Sequence, residues 1–430
     1  MTSTAPLTAL LINRNPDAVL FHRPCGPVTA TAFLADVARV AAALPPAPYL
    51  LNHCQDRYAF AVAFAAGLMA GRTALLNVDN PAAYPDAAVI TDNCLAAPPA
   101  PPRPIPHIPL DALAAIVFTS GSTGAPVAHP KRWGSLVQRS RAAATAFGLA
   151  PGATILGTVP PQHMYGFETT ILLPFHAEIA SWCGPAFFPG DMQAAIAACP
   201  APRTLVTTPL HLRTLLDSGI HLPLAAIISA TAPLDPALAA RAEAAWTAPV
   251  HEIFGATECG SIAHRRTTAT DIWTQYPGID LAFEDAGALV HAPHTDPTRL
   301  ADILEPAPPG IGSPGIGSPA IAPPGFRLIG RRTDVIKLAG RRASLPGLDR
   351  MLLGVPGVAD GAFVVPDAAD ARLVAVVVAP GRTAAAILAD LRCVMEPIFL
   401  PRRVIQVDRL PRNALGKLPR QALLALLDTA

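Results

Sequence analysis

At 430 residues the chain is long enough for two or more domains with a sizeable buried core. Hydrophobic residues make up 51% of it, charged residues only 15%, and the formal net charge is +1, which excludes a disordered chain and gives no electrostatic reason for nucleic acid or an anionic membrane as partner. The substrate is therefore to be sought in a pocket, and the 49 prolines predict many short elements with rigid connections.

Near the N-terminus the apolar run 7–12 is cut off by Asn13, Arg14, Asn15 and Asp17, so no signal peptide is predicted. The seven cysteines (25, 54, 94, 183, 199, 259 and 393) are scattered and contain no Cys-x-x-Cys pair, which suggests neither a disulfide framework nor a thiolate metal site and fits a cytoplasmic protein. Up to about residue 110, Ala-rich helical stretches (31–44, 58–71) alternate with short strands (49–52, 73–77, 88–91). This rhythm predicts an α/β fold with a parallel sheet, whose ligands bind at the carboxyl ends of the strands. The run 58–71 is too short to span a bilayer, which takes about 20 residues, and reads as a buried helix. Residues 96–109, with seven prolines, read as a stiff surface connection.

A short β-prone run, 115–118, then delivers the chain into Thr119-Ser120-Gly121-Ser122-Thr123-Gly124-Ala125-Pro126. Glycines let backbone N–H groups turn toward one point, and four hydroxyls add donors without bulk, a combination that suits a polyphosphate. Further α/β units follow: a helix at 135–147 and strands at 154–158, 204–207, 225–229 and 251–254. The last strand leads into Phe254-Gly255-Ala256-Thr257-Glu258-Cys259-Gly260, a second glycine-flanked turn with an acid, expected on the same sheet as the first. Between 305 and 326 the sequence Gly-Ile-Gly-Ser-Pro occurs twice in tandem, at 310–314 and 315–319, and reads as a mobile surface insertion. The last hundred residues predict a small α+β domain, with strands at 361–365, 373–379 and 403–407 and helices at 384–395 and 420–427.

Five short blocks, at 119–126, 160–166, 254–258, 330–342 and 410–423, stand in the order found in the adenylate-forming enzymes, and the chain resembles that family of acyl- and aryl-CoA ligases, peptide-synthetase adenylation domains and luciferases. The resemblance implies a large N-terminal domain of parallel and mixed sheets covered by helices (1–331) and a small mobile C-terminal α+β domain (332–430). It also implies ATP and Mg²⁺, a carboxylic acid activated as an acyl-adenylate, and a thiol acceptor that is an acyl carrier protein or coenzyme A. Its motifs assign Thr119, Ser120, Gly121, Ser122, Thr123 and Gly124 to the β- and γ-phosphates, Thr257 to the α-phosphate and Glu258 to Mg²⁺. Phe254, Gly255, Ala256 and Thr231-Ala232-Pro233 fall to the adenine, Asp302 and Arg331 to the ribose, and Arg342 to the thiol donor. Lys417 takes the place of the adenylation lysine and His163 that of the residue bordering the carboxylate.

Several positions depart from the family pattern. The lysine usual after Pro126 is Val127 here, and the nearest lysine, Lys131, comes four places late, which leaves open whether it reaches back. Asp302 lacks the Thr-Gly that ordinarily precedes it, and the hinge residue is Thr333. The short length and the Gly-Ala-Pro-Val loop resemble the aryl-acid:acyl-carrier-protein ligases of xanthomonadin and aryl polyene pigment pathways, which implies a hydroxybenzoate-type acid such as 4-hydroxybenzoate. The alternatives are an aryl- or acyl-CoA ligase, an amino-acid-adenylating enzyme, for which Glu168 is the nearest acid to the pocket motif, and a non-catalytic nucleotide-binding regulator.

Overall fold

The structure is a computed structural model that describes residues 7–78, 83–96, 104–120, 126–284, 287–292, 295–308, 325–331, 335–338, 341–366, 372–413, 416 and 418–428. It divides into two compact units: Met1–Ala282 with Leu289–Thr298 and Ala307–Gly325, and Phe283–Ala288 with Arg299–Pro306 and Phe326–Ala430.

Two sheets build the first unit. The smaller is five-stranded, in the order Ala87–Ile90, Tyr49–Asn52, Thr73–Leu76, Leu113–Ser120, Pro126–Arg132. Its first four strands are parallel and the last is antiparallel. The larger runs from Ile272–Gln275 through Gly260–Arg266, Val250–Ala256, Ala226–Ser229, Arg203–Thr207, Thr154–Gly157, Ala180–Trp182 and Val19–Arg23 to Gly26–Thr29. It is parallel from Val250–Ala256 to Val19–Arg23 and antiparallel toward both edges. The central strands are near-continuous apolar runs because helices cover both their faces: Leu205, Val206, Ile227 and Ile228 have no exposed surface.

Helix starts follow their caps. Thr29 accepts from the Ala32 N–H ahead of Ala30–Ala43, Asp56 from Ala59 ahead of Arg57–Met69, and Asp235 from Ala237 and Leu238 ahead of Pro236–Trp246. The membrane-like run lies in Arg57–Met69, buried from Arg57 to Leu68. Among the described residues no helix is long and apolar enough to cross a membrane. Arg57 itself is buried, and its guanidinium offsets part of that cost by donating to the carbonyls of Trp182, Gly157 and Val159 at 2.8, 2.9 and 2.9 Å.

Three expectations need correction. The strand predicted to end at Phe118 continues through Thr119 to Ser120 and pairs with Pro126–Arg132, with Thr119 opposite Val127 and Ser120 opposite Pro126. The hydroxyl-rich loop thus joins the two strands of an antiparallel hairpin, and Gly121, Ser122, Thr123 and Gly124 lie outside the described residues. The two phosphate-compatible turns belong to different sheets, the first to the five-stranded one and the turn after Val250–Ala256 to the larger. The proline-rich connection is not wholly irregular either, since His107–Pro109 pairs with Thr8–Leu10.

The second unit contains the hairpin Asp302–Pro306/Gly325–Arg331, the hairpin Val335–Leu338/Arg341–Ser344, and a three-stranded sheet of Asp360–Val364, Val374–Val378 and Arg403–Gln406. Its helices are Leu345–Leu353, Ala384–Val394 and Arg420–Asp428, and a core around Leu352, Ala375, Val377, Ile387 and Leu391 is fully buried. The Gly-Ile-Gly-Ser-Pro repeat, Thr333 and Lys417 lie outside the described residues.

Candidate active site

The carboxyl ends of the parallel strands in the larger sheet collect most of the motif residues of the first unit. Pro160-Pro161-Gln162-His163 turns into the one-turn helix Met164–Gly166, with His163 at its N-terminus and half-buried. The turn is tight enough that a Cβ on Gly166 would lie 2.0 Å from the Pro160 carbonyl oxygen, so only glycine fits. Tyr165 carries its hydroxyl to the carbonyls of Thr207 and Ile228, at 3.1 and 2.9 Å, the last turns of two neighbouring strands. Burial pushes that phenol up, so it remains a neutral donor. The motif around His163 is thereby pinned to the strand ends where a parallel sheet binds its ligands.

Beside it the chain leaves Ala226–Ser229 and passes through Thr231-Ala232-Pro233. Thr231 has a φ of 81°, which a β-branched residue adopts only under constraint from its surroundings. Glu252 supplies one such constraint. Its carboxylate, on a buried position of Val250–Ala256, accepts from the Leu234 N–H at 2.8 Å and from Arg265 Nε and Nη2 at 2.9 and 2.7 Å. The segment after Thr231-Ala232-Pro233 is thus tied to the strand that carries Phe254. Phe254, also assigned to the adenine, is buried, with its ring centroid 5.5 Å from that of Trp273. Sequence reasoning passed over Glu252, although an acid inside an otherwise apolar strand is a signal for a paired buried charge.

The turn Thr257-Glu258-Cys259 closes the hairpin between Val250–Ala256 and Gly260–Arg266. A Cβ on Gly255 would come 2.3 Å from the Gly260 carbonyl oxygen, and Gly260 has a φ of 77° with the Arg139 guanidinium packed over its Cα. Arg139 pairs with Glu168, whose second oxygen accepts from the Ser261 hydroxyl at 2.6 Å. Burial holds Arg139 down to about 10, still cationic at neutral pH.

Lys131 arrives from the edge strand Pro126–Arg132. It does not reach back along its own loop: its Nζ donates to the main-chain carbonyls of Thr257 at 2.6 Å and Glu258 at 2.9 Å, and the residue is 6% exposed. Burial, with the Arg139 charge second, pushes its ammonium down to about 8, against the opposing pull of Cys259 and Glu258. His129, two residues earlier on the same face of the strand, is lowered chiefly by burial and raised by Glu258. Neither residue was assigned a place at this turn from the sequence.

In the second unit, Asp302 and Arg331 are cross-strand partners. Arg342 lies opposite Lys337 in the next hairpin.

A family model described as "AMP-binding enzyme" matches residues 43–297, and one described as "AMP-binding enzyme C-terminal domain" matches 348–417. A protein of Halorhodospira halophila named 4-coumarate--CoA ligase is 34% identical over 157 residues, 36% of this chain and 38% of that protein. The chain spans less than half the length of the curated relatives it matches. Among solved structures, ATP-bound MatB from Rhodopseudomonas palustris superposes with a TM-score of 0.78 at 19% identity, covering 96% of both chains. The o-succinylbenzoate CoA synthetase MenE of Bacillus subtilis, in complex with its acyl-adenylate intermediate, gives 0.77 at 16% identity over 95% of this chain and 96% of its own. These likenesses establish a shared fold.

Proposed function

Because this chain belongs to the AMP-binding enzyme family, we propose that it activates a carboxylic acid with Mg-ATP and passes the acyl group to a thiol. In the first step a carboxylate oxygen bonds to the α-phosphorus and the bond to pyrophosphate breaks. In the second a thiol sulfur bonds to the acyl carbon, AMP leaves, and the thiol proton is released. Phosphoryl chemistry of this kind asks the protein mainly for positioning and for charge control around oxygens.

The observation that carries this reading is the Thr257-Glu258 turn. It sits at the carboxyl end of a parallel strand, its two carbonyls are held from below by Lys131, and both its side chains are half-buried. Among the described residues no three His, Cys, Asp or Glu side chains gather into a metal cage. A single carboxylate suits Mg²⁺, which usually takes one or two from the protein and completes its shell with water and substrate phosphates. On this reading Glu258 would hold the ion and Thr257 the α-phosphate. Thr119 to Gly124 would hold the outer phosphates, Asp302 and Arg331 the ribose, Lys417 the reacting carboxylate and Arg342 the thiol donor. The large adenylating part would be 1–331 and the lysine-bearing part 332–430.

For the acid we propose an aryl carboxylate of hydroxybenzoate type. The name 4-coumarate--CoA ligase borne by two relatives supports an aryl acid and favours coenzyme A as thiol. The carrier-protein reading, with its link to pigment pathways, rests on the sequence of the hydroxyl loop. The pairing of Glu168 with Arg139 and Ser261 speaks against an amino acid, because the acid nearest the pocket motif already has its counter-charge. The test is acid-dependent pyrophosphate release across benzoates, cinnamates, fatty acids and amino acids, followed by transfer to coenzyme A or holo carrier protein. Release with none of these acids would sink the reading.

A further inference from the structure

The hydroxyl loop of this chain lacks a lysine after Pro126, and Val127, which stands there, is 47% exposed. The nearest lysine is instead buried and spends its donors elsewhere. We propose that Lys131 is a positioning residue for the Thr257-Glu258 turn: its ammonium holds both carbonyls of the turn and so fixes where the Glu258 carboxylate and the Thr257 hydroxyl meet a magnesium-bound polyphosphate. The proposal rests on the Mg-ATP reading of that turn.

Three features support it. First, Lys131 is mounted on a rigid element, since its strand is laddered to Leu113–Ser120 with Lys131 opposite Ala115. Its neighbour Arg132, on the other face, is separately fixed by a 2.7 Å bond to the Asp111 carbonyl. Second, the two contacts go to consecutive main-chain oxygens, at 2.6 and 2.9 Å. A peptide group is planar, so holding two successive carbonyls restrains the rotation of both peptide planes and with it the directions of the side chains they carry. Third, the contacts are to the carbonyl of Glu258 and leave the carboxylate role to the cation. A buried ammonium is costly unless its protons are accepted, and a methionine of similar length would fill the same space without that cost. The charge is accounted for by the directional bonds that it makes.

Because the turn closes a hairpin on the larger sheet while Lys131 belongs to the five-stranded one, a merely structural tie between the sheets is the competing explanation. The two differ in what Lys131→Met changes. If Lys131 positions the turn, the variant melts within a few degrees of the wild type, and amide hydrogen exchange in the ligand-free protein accelerates about tenfold or more in a peptide covering 255–262 while the flanking parallel strands keep their protection. Calorimetric Mg-ATP affinity then falls about 10- to 100-fold, as does kcat/KM for Mg-ATP in pyrophosphate exchange, with the KM for the acid unchanged. Lys131→Gln, which keeps two N–H donors, recovers at least half of the protection and affinity. The proposal is overturned if exchange in 255–262 and Mg-ATP affinity both stay within twofold of wild type, if the KM for the acid rises in step with that for Mg-ATP, or if neither variant folds. A wild type that binds Mg-ATP and responds to these substitutions, yet shows no acid-dependent exchange, upholds the role of Lys131 and removes the ligase reading instead.

Discussion

Asp302 stands directly across an antiparallel ladder from Arg331. The sequence offered two separate candidates for the ribose, 29 positions apart and divided by a repetitive insertion, one of them without its usual neighbours. The hairpin removes that separation: the two residues share one register position, where the Cα atoms of cross-strand partners lie about 4.5–5.5 Å apart. A register shift between Ile303 and Leu304 lies one residue away, and irregularities of this kind re-aim side chains near sites. Asp302→Ala should raise the KM for Mg-ATP about 10- to 100-fold, the expected effect of losing hydrogen bonds to a charged acceptor, while leaving the KM for the acid alone. It should also abolish the preference for ATP over 2′- or 3′-deoxy-ATP, and a variant that still discriminates among these nucleotides would remove Asp302 from the ribose.

Glu252 is the second residue whose importance shows only in three dimensions. It is 3% exposed, and its carboxylate serves Arg265, the Leu234 N–H and the Thr267 hydroxyl. Arg265 in turn lies over the Trp273 ring, 4.5 Å from its centroid, and Trp273 packs on Phe254. Glu252→Ala strands a guanidinium and a buried amide together, a change expected to cost about 3–5 kcal/mol. Glu252→Gln keeps the acceptor for Leu234 and should cost less. Urea denaturation of the three proteins checks this order, and equal stability of both variants would mean that the Leu234 bond contributes nothing.

How far the sequence carried depended on how local each signal was. The parallel strands around 204–207 and 225–229 were legible because strands buried on both faces leave short apolar stretches such as Leu205-Val206 and Ile227-Ile228. The strand Pro126–Arg132 was not, since Pro126 and Pro130 argue against a central strand. It is an edge strand, where a missing N–H leaves no ladder bond unmade. Missing that strand hid the destination of Lys131, whose partners in the Thr257-Glu258 turn lie more than a hundred residues further along the chain. The same gap led to the expectation of two phosphate-compatible turns on one sheet. Glu258 and Thr257, by contrast, were legible because glycines bracket them, and each bracket has a steric reason.

Those brackets can be tested directly. Gly260 has a positive φ, and a Cβ there would fall within 1.5 Å of the Arg139 guanidinium. The guanidinium would have to withdraw from Glu168, breaking a buried ion pair, and the left-handed backbone adds its own strain. Gly260→Ala should therefore lose at least about 3 kcal/mol of stability together with acid-dependent pyrophosphate release. Gly190, which has nothing within 4 Å of a built Cβ, is the control, and Gly190→Ala should behave as wild type. Comparable thermal melts for Gly260→Ala and Gly190→Ala would show that the Arg139 contact is not needed.

Acid sensitivity should come from buried histidines outside the turn. Burial, followed by the Arg141 charge, holds His176 at about 3, and burial, followed by the His251 charge, holds His264 at about 4. His251 is lowered too, by burial and then by Arg266, with Glu243 opposing. The folded values lie below the ordinary 6.5, so between the two the unfolded chain binds the extra protons and stability rises with pH. The contribution is complete above about pH 6.5 and is lost as the pH falls toward 4, each histidine adding up to about 1.4 kcal/mol per pH unit to the slope. From pH 6.5 to 4.5, His176 and His264 together should remove on the order of 4 kcal/mol. His264 sits among rings, 5.6 Å from Phe147 and 5.7 Å from Tyr276, so His264→Phe keeps an aromatic there while removing the titration. Its stability, measured by urea denaturation at several pH values between 4.5 and 7.5, should depend on pH less steeply than the wild type by about 1 kcal/mol per pH unit below pH 6. Parallel curves for the two proteins would show that His264 is protonated in the folded state as readily as in the unfolded one.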